Sequence, residues 1–354
     1  MSGGVLFYTH YGADVGYGHV RRCLSIASAL QERGIESVFL LDALCEAVPP
    51  EVKKFEYHYF SEFSTYDPLK NRTTNVYEII SQCIKNYNLR VVFFDNYSVS
   101  DSLLKNLKKD LVTMASFDDF GMTNPNYNLI VDHNSPRAIR NDGGIVLGGF
   151  EHCVLGDQYR KLKRTKNQIN SRGHKNGKLN LFVSLGSGPV LAYEEMIMSS
   201  FIDIKINSMY NIYWLSSNKL PKNDSSDAIE INKMEAIDNM ASFLVDMDVS
   251  IGSCGVNSLE RCCMGIPSLV FKTADNQQRN YQRLIDRGIA IPINNIRDIS
   301  ERLKYLFQNP QSLREQSIRC ALSVDGKGAS RVAFGIYSLL NSLLSMHETQ
   351  REGT

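Results

Sequence analysis

A chain of 354 residues is too long for one ordinary core and predicts about two domains with a cleft between them. With 39 Lys and Arg against 38 Asp and Glu, the bulk charge calls for neither nucleic acid nor an anionic membrane surface, which leaves a small-molecule ligand.

Short β-branched or aromatic runs alternate with segments of helical period, the pattern of parallel α/β units. "VLFYT" (5–9) reads as the first strand. A helix follows Gly18, with Val20, Leu24, Ala27 and Leu30 as its apolar stripe and Gly34 as its stop. Next come "SVFLLD" (37–42), a helical stretch at 77–87, "RVVFFD" (90–95), the helical "SDSLLKNLKKD" (100–110), "LVTMASFDD" (111–119), "YNLIVD" (127–132) and "GIVLGG" (144–149). Residues 1–160 are therefore expected to form an N-terminal α/β domain. The basic stretch "RKLKRTKNQINSRGHKNGK" (160–178) lacks carboxylates and interleaved aromatics, so 161–178 reads as a solvated linker and not as a nucleic-acid patch. Strands resume at 179–186, 210–216, 245–252, 267–272 and 289–293, and "GASRVAFGIYSLLNSLLSMHE" closes the chain as a helix. Residues 179–346 are expected to be a second α/β domain, followed by a frayed tail at 347–354.

The eight cysteines show no C-x-x-C pair or metal-type spacing and fit reduced, mostly buried thiols. The start "MSGGVLFYTH" does not read as a signal peptide, and no run reaches the ~20 apolar residues of a membrane span. A soluble, cytoplasmic protein is expected. His10, His58, His133, His152, His174 and His347 make no metal-binding pattern, so no metal and no cofactor are expected. His10 stands apart because it ends the first strand.

Glycine-rich turns follow three predicted strands: "GADVGYGH" (12–19), "SLGSGPV" (184–190) and "GSCGVNS" (252–258). In open α/β sheets, ligands sit at the carboxyl ends of strands, where helix N-termini present free amides, and a diphosphate suits such a place. Gly16, Gly18, Gly186, Ser187, Gly188, Ser253, Cys254 and Gly255 are the candidate contacts. None of these turns is a Walker A loop, and "GYGHVR" lacks the third glycine of a dinucleotide fingerprint.

The block "GSCGVNSLERCCMGIPSLVFKTADNQQ" (252–278), together with "GYGHVRRCLSIA" (16–27), "FFDNY" (93–97), "SFDDF" (116–120) and "LGDQYRKLK" (155–163), resembles the UDP-sugar hydrolase family of the pseudaminic acid pathway. Its formal activity is UDP-2,4-diacetamido-2,4,6-trideoxy-β-L-altropyranose hydrolase, and its relatives include a spore-coat polysaccharide protein. The resemblance implies two Rossmann-like domains in a glycosyltransferase-B-type arrangement, UDP held largely by the second domain, no metal, and a catalytic histidine matching His19. It also implies ligand contact for Asn276, near the sugar, and for Gln277, and it matches Tyr97 to the tyrosine of an active-site D-x-Y. The family's arginine at the end of the first strand is absent from "FYTHYGADVG", and its G-G-S-D loop reads "LGSGP". These two departures bear on contacts to the sugar and to the phosphates.

An imidazolium at a helix N-terminus is disfavoured by the helix dipole, so His19 suits a neutral general base that activates water. Its plainer reading is capping or packing. Glu260, one turn into the helix after "GSCG", can accept both ribose hydroxyls or can simply be a glutamate favoured by the dipole. Asn276 and Gln277 are otherwise polar loop caps. Asp118 and Asp119, as neighbours on a strand, point to opposite faces, which predicts a turn role for at least one. Tyr159 reads equally as a cleft residue or a packing residue. The leading expectation is a hydrolase that releases UDP from a UDP-activated sugar. A glycosyltransferase of the same fold and a non-catalytic nucleotide-sugar binder are the alternatives.

Overall fold

The structure is a computed structural model. It describes residues 3–10, 17–42, 48–60, 66–67, 72–73, 75–136, 138–140, 142–171, 177–186, 190–220 and 229–352, with the backbone alone at 66–67, 72–73, 170–171, 276 and 343–352. The chain forms two compact units: 1–156 joined by 327–354, and 157–326.

In the first unit the strands are β1 (Gly4–His10), β2 (Ser37–Asp42), β3 (Glu56–Tyr59), the short ribbon β4 (Tyr66–Asp67) with β5 (Arg72–Thr73), β6 (Leu89–Asp95), β7 (Thr113–Phe117), β8 (Leu129–Asp132), β9 (Ala138–Ile139) and β10 (Ile145–Gly148). Among the described residues the main sheet runs β3-β2-β1-β6-β7-β8-β10-β9, parallel except for the β9 edge. Alternation along each strand sorts its side chains onto two faces. Val5, Phe7, Val91 and Phe93 pack under α1 (Gly18–Gln31), while Leu6, Tyr8, Val92 and Phe94 pack under α2 (Val76–Asn86) and α3 (Asp101–Lys109). Asn75 and Ser100 cap these last two helices by accepting from the Glu78 and Leu103 amides.

The second unit carries α4 (Asp157–Leu162), α5 (Lys166–Ser171), β11 (Leu179–Ser184), α6 (Leu191–Asp203), β12 (Tyr210–Leu215), β13 (Ile231–Met234), α7 (Met240–Leu244), β14 (Val249–Ser253), α8 (Val256–Cys263), β15 (Ser268–Phe271), α9 (Gln278–Asp286), β16 (Ala290–Pro292), α10 (Ile296–Gln308) and α11 (Pro310–Ser323). Its parallel sheet runs β13-β12-β11-β14-β15-β16 around a core that includes Trp214 edge-on to Phe201.

Two domain boundaries differ from the sequence expectation. The closing helix, α12 (Gly328–Glu352), belongs to the first unit, so residues 327–346 are not part of the second domain, and the backbone at 347–352 is helical and not a frayed tail. Val332, Ile336 and Leu340 lie buried in the α1 core, and each contributes roughly 1.5–3 kcal/mol by leaving water. Nor is the start of the basic stretch simply solvated: two of its cations are tied into the second unit. Lys163 donates to the carbonyls of Ala321 and Val324, and the buried Arg164 donates to those of Leu244, Val245 and Met247. These cations satisfy carbonyls that the ends of α11 and α7 leave open. Seven described cysteines are free and buried, and among the described residues no helix is long and apolar enough to cross a membrane.

Candidate functional site

The first sheet winds outward in opposite directions from β1 and β6, which makes the carboxyl edge between them a topological switch point. Thr9 on β1 pairs with Asp95 on β6, and α1 starts nearby with His19 as its second residue. His19, Arg22 and Cys23 share one helical face, three and four residues apart. That face turns a charged group into the core: Arg22 is buried, with its guanidinium 4.0 Å over the Phe117 ring.

Asp95 is the hub of the cluster. Its side chain is 1% exposed, and its Oδ1 lies 2.6 Å from His19 Nδ1. Arg22 donates to both Asp95 oxygens, Nε to Oδ2 at 2.7 Å and NH2 to Oδ1 at 2.5 Å, and also donates to both oxygens of Asp119 at 3.0 and 2.9 Å. Burial alone would raise the Asp95 carboxyl, but the charge and hydrogen bonds of Arg22, joined by His19, hold it below the ordinary carboxylate range. The same guanidinium, with help from Tyr97, outweighs burial at Asp119 and holds it lower too.

An ionised carboxylate only accepts, so Nδ1 faces Asp95 as the donor, and in the neutral ring this tautomer leaves the lone pair on Nε2. Nε2 has no hydrogen-bond partner among the described residues. Two carboxylates and one guanidinium sum to one net negative charge, so proton uptake at Nε2 would neutralise the cluster.

Tyr97 stands edge-on to the imidazole, with ring centroids 4.8 Å apart, and its hydroxyl donates to Asp119 at 2.6 Å. Burial and Asp119 push that hydroxyl well above the usual tyrosine value, so it keeps its proton. Asp118 binds the amides of Phe120, Gly121, Met122 and Thr123, a turn role, while Asp119 belongs to the His19 cluster. Gly18 is exposed, and among the described residues nothing lies within 4 Å of where its Cβ would be. Gly16 lies outside the described residues. Tyr159 is buried, as a packing residue is. On the other face of the same edge, Asp42 accepts from Tyr8 and Asn96, with His10 Nε2 at 3.3 Å.

The second sheet has its own switch point between β11 and β14. Gly186 leaves β11 at φ +82°, a conformation that favours glycine, and its Cβ position lies 3.8 Å from Ser253 Oγ at the end of β14. These two turns therefore meet. Ser187 and Gly188 lie outside the described residues. Gly255 precedes α8 with no side-chain cap, and the amides of Gly255, Val256 and Asn257 have no acceptor among the described residues. Glu260 sits half-buried one turn further on.

Cys254 plays a different part from its neighbours. Gln277 Oε1 accepts its amide at 3.2 Å, along with the Thr273 amide and hydroxyl, and Asn280 donates to the Cys254 carbonyl at 2.6 Å. Burial pushes the Cys254 thiol up to about 12, so it stays protonated. The side chain of Gln277 thus ties the α8 turn to the 273–277 turn, and the side chain of Asn276 lies outside the described residues. Among the described residues no group of three His, Cys, Asp or Glu could hold a metal ion. Sequence reasoning passed over Arg22, although its three-residue offset from His19 was a readable signal. Asn280 left no such signal, because its partners are backbone atoms.

No family model matches the chain. An uncharacterised protein of Methanocaldococcus jannaschii is 22% identical over 310 residues, which cover 83% of this chain and 60% of that protein's length. Among solved structures, MurG of Acinetobacter baumannii superimposes with a TM-score of 0.66 at 15% identity, over 95% of this chain and 99% of its own. The fold is of the glycosyltransferase-B type. UDP-GlcNAc 2-epimerase of Neisseria meningitidis bound to UDP-GlcNAc matches at 0.62 and 12% identity, over 95% of this chain and 100% of its own. UGT2 of Phytolacca americana, complexed with UDP-2fluoro-glucose and pterostilbene, matches at 0.66 and 11%, over 96% and 100%.

Proposed function

We propose that the protein hydrolyses a UDP-activated diacetamido-trideoxy sugar of pseudaminic acid-type biosynthesis, cleaving the bond between the anomeric carbon and the UDP oxygen. The observation that carries this reading is the Asp95–His19 pair, with its Nδ1 contact of 2.6 Å and its net negative surroundings. His19 Nε2 takes a proton from water, the water oxygen bonds to the anomeric carbon, and the C–O bond breaks with its electrons leaving on UDP. Asp95 orients the ring and balances the imidazolium, and Tyr97 positions the ring from its edge. Asn276 is assigned to the sugar by resemblance. The second unit holds the nucleotide, with the Gly186 and Ser253–Gly255 turns at the diphosphate and Glu260 at the ribose. Gly16 and Gly18 of the histidine turn, and Ser187 and Gly188 of the β11 turn, complete the proposed contacts. No metal or cofactor takes part in this reading.

A glycosyltransferase is the second reading, favoured by the likeness to MurG and UGT2. There the same dyad would deprotonate an acceptor hydroxyl. Turnover of the UDP-sugar in oxygen-18 water, with no acceptor present, decides between them. Hydrolysis at carbon releases unlabelled UDP and labelled sugar. Label in UDP overturns the proposed bond cleavage, and no release without an acceptor favours the transferase.

A further inference from the structure

Arg261 in α8 is 1% exposed, yet its hydrogen-bond partners are neutral: NH2 donates to the Ser253 carbonyl at 2.8 Å and Nε to the Ser268 hydroxyl at 3.2 Å. It forms no ion pair with any described residue. This sets it apart from Arg22, the buried arginine of the first unit, which is shared by two carboxylates. An arginine does not escape such a position by losing its proton in the ordinary pH range, so a full positive charge stays in the core with no carboxylate in ion-pair contact among the described residues.

Its place in the fold gives that charge a use. A Cβ on Gly252 would fall 2.9 Å from both terminal guanidinium nitrogens and 2.5 Å from the Ser184 carbonyl oxygen. Only a glycine lets the guanidinium lie this close beneath the ends of β11 and β14, and the turn above it presents the uncapped amides of α8. Burial pulls the guanidinium below its usual value, and the fields of Cys262, Cys254 and Glu260 offset this only in part.

We propose that Arg261 is an electrostatic positioning residue for the diphosphate: a cation without an ion-pair partner among the described residues, kept beneath the Ser253–Gly255 turn, whose charge is balanced when an anion binds at the α8 N-terminus. It touches no ligand and acts through the turn. The inference rests on the reading of that turn as a diphosphate site.

The test compares UDP with uridine by titration calorimetry, because the two share a nucleoside and differ in the anion. A unit charge acting over about 8 Å at an effective dielectric near 20 changes the affinity for one anionic charge by on the order of 30-fold. Arg261→Gln keeps a donor for Ser253 but removes the charge, so the preference for UDP over uridine falls by on the order of 30-fold. Arg261→Lys keeps the charge and most of that preference. A glutamine variant with an unchanged preference, or a lysine variant that loses it, overturns the inference while the nucleotide site stands. If the wild type shows no preference for UDP, the nucleotide reading itself fails. If the glutamine variant does not fold, the lysine variant decides by the same criterion.

Discussion

Replacing Asp95 by asparagine tests the first-unit site at its hub, because the two oxygens of Asp95 take the shortest hydrogen bond of His19 and half of the carboxylate bonds that hold Arg22. Oδ1 receives His19 Nδ1 at 2.6 Å and Arg22 NH2 at 2.5 Å, while Oδ2 receives Arg22 Nε at 2.7 Å. An amide keeps one acceptor and turns the other into a donor. If its NH2 group faces Arg22 Nε, donor opposes donor in the core. If it faces His19, the imidazole must switch tautomer so that Nδ1 accepts, which places the proton on Nε2 and removes the base. A lost tautomer of this kind lowers kcat by up to about 10⁴. Removing one partner of a buried ion pair costs about 3–5 kcal/mol, and the intact bidentate pair with Asp119 should hold Asp95→Asn to about 2–3 kcal/mol. For a unit of this size that is a fall in melting temperature of roughly 4–12 °C. Steady-state UDP release and thermal unfolding are measured on the same preparations, with His19→Asn as the reference for a missing base. A folded Asp95→Asn protein with turnover within about tenfold of wild type would show that His19 does not depend on Asp95 for its tautomer and would refute this reasoning.

Tyr97→Phe removes the 2.6 Å donation to Asp119 but keeps the ring edge against His19, so kcat should fall by less than about tenfold and stability by about 1 kcal/mol; a much larger loss of kcat would mean that the hydroxyl touches the substrate. Glu260→Ala should weaken UDP binding by roughly 10- to 100-fold without unfolding the protein, as for loss of a charge-assisted hydrogen bond; unchanged affinity in calorimetry would remove Glu260 from the ribose. Asp95 and Asp119 titrate lower when folded than when unfolded. Their stabilisation is therefore complete above the unfolded carboxylate value near 4 and drains away as pH falls below it. Urea midpoints between about pH 6 and pH 2.5 should show this slope, and Asp119→Asn should flatten it.

The alternating pattern of apolar runs was enough to read most of the central strands, because a strand buried on both faces needs a continuous β-branched or aromatic stretch whatever it packs against. The turns at Gly18, Gly186 and Gly255 were legible as glycine-rich breaks after strands; of the three, Gly186 at φ +82° has the backbone that disfavours a Cβ, whereas a Cβ on Gly18 or Gly255 would meet no clash among the described residues. His19 was legible by its position at a helix start. What made it part of a machine was not, since Asp95 reaches it from a strand 76 residues away and Asp119, just past the end of β7, joins through Arg22, and only the parallel pairings of β1 with β6 and of β6 with β7 bring them together. The marginal strand at Ile231–Met234 and the helices between the second unit's strands went unread because amphipathic surface segments carry a weaker signal than buried ones. The final helix was misassigned by its place in the chain: its apolar stripe says that it must be covered, but the sheet that covers it is chosen by complementarity with α1. The basic stretch likewise looked solvated until the carbonyl ends of α7 and α11 were seen to receive it. Local chemistry determined which segments fold and where a ligand could approach. The partners of each charge, and with them the orientation of His19 and the lack of an ion pair at Arg261 among the described residues, were decided by contacts between residues far apart in the chain, because burial makes every charge depend on what the fold sets beside it.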